Sequence, residues 1–299
     1  MASLLTAMMV DDFIHDPILG AKVLLGMEIP PHMELRIWGM WKSKFIVDSS
    51  GLGTGKSLCI ATVAALRSML FRDRVAGLIS NTFPQGKLIH AYFDRWAKRS
   101  TIFRNQLAVN ARGDPYISHT SDACLCKFKN DSEIRTIPPD FAKNARRVAS
   151  ESWNDGYFDE WTRYPNFEAF FKVIIGRVRR PVPRPYDNKD PIFNNHICLF
   201  GTAAYEWMPT YGTVRDFQQE VVNGNKEYEV QSWNYTHVPK KFEHLITIDT
   251  IKLQEKNLSS TVVRQEIYGK WVKDSAGYYG HQDVETARHK DCKVLLGAT

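Results

Sequence analysis

Nine consecutive residues, Ser49-Ser50-Gly51-Leu52-Gly53-Thr54-Gly55-Lys56-Ser57, carry the densest chemistry in the chain. Glycines can take backbone conformations closed to residues with a Cβ, so Gly51, Gly53 and Gly55 let successive N–H groups turn inward on an anion. Lys56 supplies a mobile positive charge, Thr54 a small polar side chain, and Ser57 a hydroxyl able to hold Mg2+. The pattern is GxxxxGK[ST] with Ser50 at the place of its first glycine. It predicts a phosphate cradle for a nucleoside triphosphate; the bland alternative is a glycine-rich turn that binds nothing. Further along, Tyr157-Phe158-Asp159-Glu160 ends in two adjacent carboxylates. The first can order a Mg2+ shell and the second can polarise a water against a γ-phosphate. Alone, the same pair would be an ordinary surface motif.

These side chains need a scaffold that delivers them to one place. Phe45-Ile46-Val47 reads as a short buried strand, and Leu58 to Leu70 is apolar and free of Gly and Pro, so the order is strand, loop, helix. The positive N-terminal end of that helix adds to the anion site. Val75 to Ser80 reads as a second buried strand, followed by a polar loop from Asn81 to Gly86 and a helix from Lys87 to Lys98. Post-strand loops in an open parallel sheet line the ligand crevice, which puts Asn81, Thr82 and Gln85 beside nucleotide or nucleic acid, or in a solvated loop. Cys124 to Phe128 and Glu133 to Ile137 flank a hairpin turn, Lys129-Asn130-Asp131-Ser132. The strand before Asp159 is weak as written, because Asn154, Asp155 and Gly156 interrupt it. Phe167 to Ile175 reads as a helix, and Arg177 to Pro191 as an exposed basic loop. His196 to Phe200 is an apolar strand running into Gly201-Thr202-Ala203, where a small polar residue can sense the γ-phosphate.

Before the loop, residues 1 to about 30 read as one or two short helices. His32 to Lys44 resumes as a helix, in which His32, Met33 and Glu34 are candidates for adenine recognition or for packing. Arg146 and Arg147 precede the carboxylate pair. An arginine presented to a neighbour's γ-phosphate is worth ~10³–10⁵ in rate. A solvated or DNA-facing basic patch is the equal alternative.

Composition sets the outer bounds. The chain has 299 residues, 43% of them hydrophobic, enough for one large α/β domain and a smaller appendage. Its net charge of +6 is compatible with a polyanionic partner. No apolar run approaches the roughly 20 residues of a membrane span, and the N-terminus has no signal pattern. Five scattered cysteines, Cys59, Cys124, Cys126, Cys198 and Cys292, suit a reducing compartment and packing roles.

Taken in order, the motifs resemble the ATPase portion of a large terminase subunit, the motor that packages DNA into tailed-phage capsids. The resemblance rests on the loop from Ser50 to Ser57, LISNTFPQ (Leu78 to Gln85), the hairpin and basic element before YFDE, and FGTA (Phe200 to Ala203). It continues through Tyr228 to Trp233 and EIYGKW (Glu266 to Trp271), which are similar to the family's lid region. The resemblance implies an α/β P-loop NTPase fold of the ASCE type, with a parallel sheet flanked by helices. It places an ATPase core with a helical lead-in at 1–215 and a small C-terminal lid at 216–299. It implies ATP and Mg2+ as cofactors, Lys56 and Ser57 on phosphate and metal, Asp159 on the metal shell and Glu160 on the water. Thr202 would couple hydrolysis to movement, and Arg146 or Arg147 would reach the next subunit of a ring.

The partners implied are double-stranded DNA, a portal protein and a small terminase subunit. The chain would form a homo-oligomeric ring, a pentamer when assembled, or remain a monomer in isolation. Its place would be the host cytoplasm, transiently at the procapsid portal and outside the finished virion. The family's nuclease is not expected in this chain. The rival readings are a helicase-like, nucleic-acid-stimulated ATPase and an ATP-gated assembly or scaffold protein.

Overall fold

A computed structural model describes residues 7–121, 123–138, 150–167, 170–182, 190–245 and 248–273. Eight strands form one sheet: β1 (Phe45–Ser49), β2 (Val75–Ser80), β3 (Ile117–His119), β4 (Cys124–Lys127), β5 (Glu133–Thr136), β6 (Asp155–Asp159), β7 (His196–Gly201) and β8 (Tyr228–Gln231). Their order is β3-β4-β5-β2-β6-β7-β1-β8, parallel from β5 to β8 and antiparallel across β3, β4 and β5. Every residue of β2 and β6 is buried, as expected for parallel strands covered on both faces. β4 and β5 alternate buried and half-buried residues, so one face is less covered, and they form the hairpin read from the sequence. Its tip places Asp131 at φ 67.

β8 lies on the C-terminal side of the 215/216 boundary, yet it pairs in parallel with β1 as the sheet's last strand. The helix leading to it, Pro209–Val222, packs against both strands. This is an α/β sheet flanked by helices, the fold class the motifs implied.

The helices explain which faces close the core. α1 (Ala7–His15), α2 (Pro17–Leu24) and α3 (Pro31–Lys42) form the lead-in, with Asp16 capping α2 through Ile18 N and Leu19 N. α4 (Lys56–Leu70) is buried on almost all sides, in keeping with its continuous apolar sequence. α5 (Phe83–Arg99) begins earlier than its apolar pattern suggested. Gln85 Oε1 accepts from Thr82 N at 3.2 Å and from Thr82 Oγ1 at 3.3 Å, a capping arrangement that starts the helix inside the polar stretch. Thr82 and Gln85 therefore serve the helix end. α6 (Thr101–Gln106) follows, and Pro209–Val222 is α7 and Ile248–Asn257 is α8. Four cysteines, Cys59, Cys124, Cys126 and Cys198, are free and buried. Among the described residues no helix is long and apolar enough to cross a membrane.

Two sequence expectations change. Asp155 and Gly156 sit inside β6, because buried arginines neutralise the acid. Arg67 Nε on α4 lies 3.2 Å from Asp155 Oδ1, and Arg74 places Nη2 at 3.0 Å and Nε at 3.1 Å. Burial alone would raise the Asp155 carboxyl; Arg67 and Arg74 outweigh it and hold it well below the ordinary range. The basic loop, as far as residue 182, is also tethered: Arg180 pairs with Asp73 at 2.7 Å, and Arg177 donates to Val173 O. Residues 183–189 lie outside the described residues.

Replacing Asp155 by Asn leaves two guanidiniums buried against a neutral group. Breaking a buried ion pair from one side costs about 3–5 kcal/mol, so Asp155→Asn is expected to lower the denaturation midpoint sharply in a urea titration at neutral pH. The gap should narrow in acid, as the stability that the ionised carboxylate supplies to the wild type is lost.

Candidate active site

The register of three adjacent strands brings the chemical residues to one edge. β7 lies between β1 and β6, with Asp48 opposite Phe200 and Phe200 opposite Asp159. The glycine-rich loop leaves β1, the Asp159-Glu160 pair ends β6, and Thr202 follows β7. All three segments emerge from the carboxyl ends of the strands, where ligands of open α/β sheets bind.

Gly55 occupies the left-handed region at φ 80 and sits at the N-cap of α4, a conformation that spares the loop a Cβ. The N–H groups of Gly53, Thr54, Gly55, Lys56 and Ser57 have no protein acceptor among the described residues. They can therefore receive phosphate oxygens. The Lys56 ammonium, largely buried, donates to Ser50 O at 2.7 Å and Gly51 O at 3.0 Å. Burial lowers its pKa, against the pull of the Glu160 and Asp48 carboxylates.

A residue absent from the sequence expectations supports this loop from below. Arg36 of α3 is fully buried, with Nε 2.6 Å from Asp48 Oδ2. Its Nη1 donates to Thr54 O, and its Nη2 to Ser50 Oγ at 3.0 Å. Burial alone would lower its pKa, and the Asp48 carboxylate outweighs that. The available signal was Asp48 itself, a lone acid in an apolar strand, which calls for a buried cation.

Ser57 Oγ lies 3.3 Å from Asp159 Oδ2, while Asp159 Oδ1 is buried with no hydrogen-bond partner among the described residues. Burial, then the Glu160 charge, pushes the Asp159 carboxyl up to about 6, opposed by Lys56 and Ser57. An oxygen pair with one unpartnered carboxylate atom fits a small hard cation such as Mg2+. Among the described residues no three His, Cys, Asp or Glu groups cluster as a metal cage. Magnesium ordinarily uses one or two carboxylates plus substrate phosphates, so this donor set suits it.

Glu160 stands at φ 53 and caps a short turn, Trp161–Arg163. Thr202 Oγ1 donates to Glu160 Oε2 at 3.4 Å, and Arg163 Nε is 3.6 Å from the same oxygen. Thr162 Oγ1 in turn donates to Thr202 O at 2.9 Å, tying the two post-strand segments together. Lys56, Ser57, Asp159, Glu160 and Thr202 thus share one site. Arg146 and Arg147 lie outside the described residues.

The C-terminal segment seats directly on the loop. Gly51 N donates to Trp233 O at 2.8 Å and Leu52 N to Glu266 O at 2.7 Å, while Trp233 N donates to Ser50 Oγ at 2.8 Å. Gly51 is required here, because a Cβ on it would stand 1.9 Å from Ile267 O. Of the adenine candidates, Met33 packs on Gly55, and Glu34 points away to Lys22 at 2.8 Å. His32 is buried near Trp233, its ring centroid 6.4 Å from the indole, and burial, then the Arg36 charge, holds its pKa down to about 4.

No protein-family model matches the sequence, and no curated protein matches it. Among solved structures, the chain is similar to the large terminase of bacteriophage HK97, with a TM-score of 0.59 and 9% identity over 82% of this chain and 51% of that one. It is similar to the large terminase ATPase domain of Thermus phage P74-26, with a TM-score of 0.58 and 14% identity over 84% of this chain and 97% of that one. It is also similar to the large terminase of a thermophilic bacteriophage in complex with ATP-γ-S, with a TM-score of 0.51 and 12% identity over 83% of this chain and 54% of that one. The chain thus spans about half the length of the first and third of these large terminases, at 51% and 54%. The likeness is one of fold, that of the terminase ATPase region.

Two measurements test this geometry. A cation held by Asp159 would compete with protons for a carboxyl that burial and the Glu160 charge push up to about 6. The Mg2+ concentration for half-saturation is expected to rise about tenfold per pH unit in acid below that value and level off above it, as read by calorimetric titration. Gly51→Ala should lift the C-terminal segment from the loop, raising amide hydrogen exchange around residues 232–237 and 262–269 and leaving the interior of α4 protected.

Proposed function

We propose that this chain is an ATP-hydrolysing motor that translocates double-stranded DNA into a viral procapsid. The observation that carries the reading is the convergence of Lys56, Ser57, Asp159, Glu160 and Thr202 at one sheet edge, on a fold similar to terminase ATPase domains.

Binding begins with the exchange of one acceptor for another. Lys56 leaves the carbonyls of Ser50 and Gly51 for phosphate oxygens, and the N–H groups of Gly53 to Ser57 take the remaining phosphate charge. Ser50, Gly51 and Thr54 shape the cradle through Arg36 and the C-terminal segment. Ser57 and Asp159 would hold Mg2+, which neutralises charge on the phosphates. Glu160 accepts a proton from the attacking water as its oxygen bonds to the γ-phosphorus and the bond to the ADP oxygen breaks. Thr202, hydrogen-bonded to Glu160, carries the change into the segment after β7.

In the assembled motor the chain works as a ring on a portal protein, with a small terminase subunit as a further partner, in the host cytoplasm. Arg146 or Arg147 serves the neighbouring subunit's γ-phosphate, since arginine's planar fork suits the spread charge of the transition state.

Steady-state ATP hydrolysis by the wild type, Glu160→Gln and Arg147→Ala, alone and mixed, tests the reading. Glu160→Gln is expected to lose about 10²–10⁴-fold in kcat and still bind ATP. Arg147→Ala is expected to be slow alone and to regain activity when mixed with Glu160→Gln. Undiminished turnover by Glu160→Gln would overturn the assignment of the base.

A further inference from the structure

One guanidinium touches three segments of the site. Arg163 Nε stands 3.6 Å from Glu160 Oε2, its Nη2 is 3.5 Å from Thr202 Oγ1, and the same Nη2 pairs with Glu266 Oε1. Glu160 follows β6, Thr202 follows β7, and Glu266 belongs to the C-terminal segment. Arg163 N donates to Glu160 O at 3.0 Å, so the backbone turn fixes where the arginine starts. The side chain itself is 46% exposed, so its contacts rather than its packing hold the guanidinium.

Glu266 has two attachments. Its carbonyl accepts from Leu52 N of the phosphate loop at 2.7 Å, and its carboxylate holds Arg163. The contacts therefore run from the phosphate loop through Glu266 and Arg163 to Glu160. An exposed ion pair alone adds little to stability, so stability gives little reason for this arrangement. Its planar, multi-donor geometry does, because a guanidinium can hold several acceptors in fixed relative positions where an ammonium cannot.

We infer that Arg163 is a positioning residue for Glu160, and that Glu266, docked on the phosphate loop, holds Arg163 in place, so that hydrolysis requires a seated C-terminal segment. The inference rests on the reading of Glu160 as the base. With the segment seated, Glu266 and Thr202 align the guanidinium and the Glu160 carboxylate stays aimed. With the segment lifted, Arg163 loses its outer anchor and the carboxylate is free to rotate. A bystander surface ion pair would leave catalysis unaffected by its removal.

The test is ATP hydrolysis by Arg163→Ala, Arg163→Lys, Glu266→Ala and the double variant Arg163→Ala/Glu266→Ala, with Glu160→Gln as reference and fluorescent nucleotide binding measured in parallel. Arg163→Ala and Glu266→Ala should each lower kcat about tenfold or more with KM and nucleotide affinity within twofold of wild type. The double variant should be no slower than the slower single. Arg163→Lys should recover part of the loss by restoring the charge. An Arg163→Ala enzyme with wild-type kcat, beside an inactive Glu160→Gln, would sink this inference and leave the proposed base intact. A double variant whose loss is the product of the two singles would remove Glu266 from the argument. Full activity in Glu160→Gln would overturn the base and this inference together.

Discussion

A loop that binds an anion through its N–H groups cannot use those groups to hold itself in shape. Here Arg36 meets that constraint. Its guanidinium, neutralised by Asp48 at 2.6 Å, grips the loop by acceptors alone, the Thr54 carbonyl and the Ser50 hydroxyl. Among the described residues the donors of Gly53 to Ser57 have no protein acceptor. Burying this pair is expensive in desolvation, and its close geometry and extra hydrogen bonds are what such a pair needs to offset that cost. Arg36 thereby also sets how α3 meets β1, and with it the position of Met33 beneath Gly55.

A second buried ion cluster works at the opposite end of the sheet. Asp155 opens β6 between Arg67 and Arg74, and the arginines reach on to the carbonyls of Ile192, Phe193 and Asn194 before β7. The cluster joins α4, β2, β6 and the approach to β7. These are the elements whose far ends carry Lys56, Asp159 and Thr202. Because strands are stiff and in register, fixing one end fixes the other. The charge buried at the base of the sheet thus helps place the charge exposed at its rim.

The C-terminal segment adds a layer that closes over this rim. Its carbonyls, not its side chains, meet the loop at Gly51 and Leu52, and they leave the donors further along uncommitted. Contacts between backbones tolerate no Cβ at Gly51, which makes the close approach specific to glycine. Seating of this segment therefore uses N–H groups of the turn other than those of Gly53 to Ser57.

The sequence by itself determined the local elements and the chemical types. Strand, loop and helix were legible around Lys56 because glycine, lysine and serine at that spacing have few other uses, and β2 and β7 were legible as apolar runs. The adjacent carboxylates were legible as a pair, and the motif order matched a fold that the structure bears. Only the tertiary structure decided that Asp155 belongs inside β6, that β8 joins the sheet beside β1, and that Thr82 and Gln85 cap a helix. It also showed Arg36, Arg163 and Glu266 converging on the site. The reason is physical. Periodicity and glycine placement are properties of neighbouring residues, whereas a buried charge is tolerable only beside a partner brought in by folding. Asp155 looks like a strand breaker until Arg67 and Arg74 arrive, and Arg36 looks like a surface residue until Asp48 is packed beneath it.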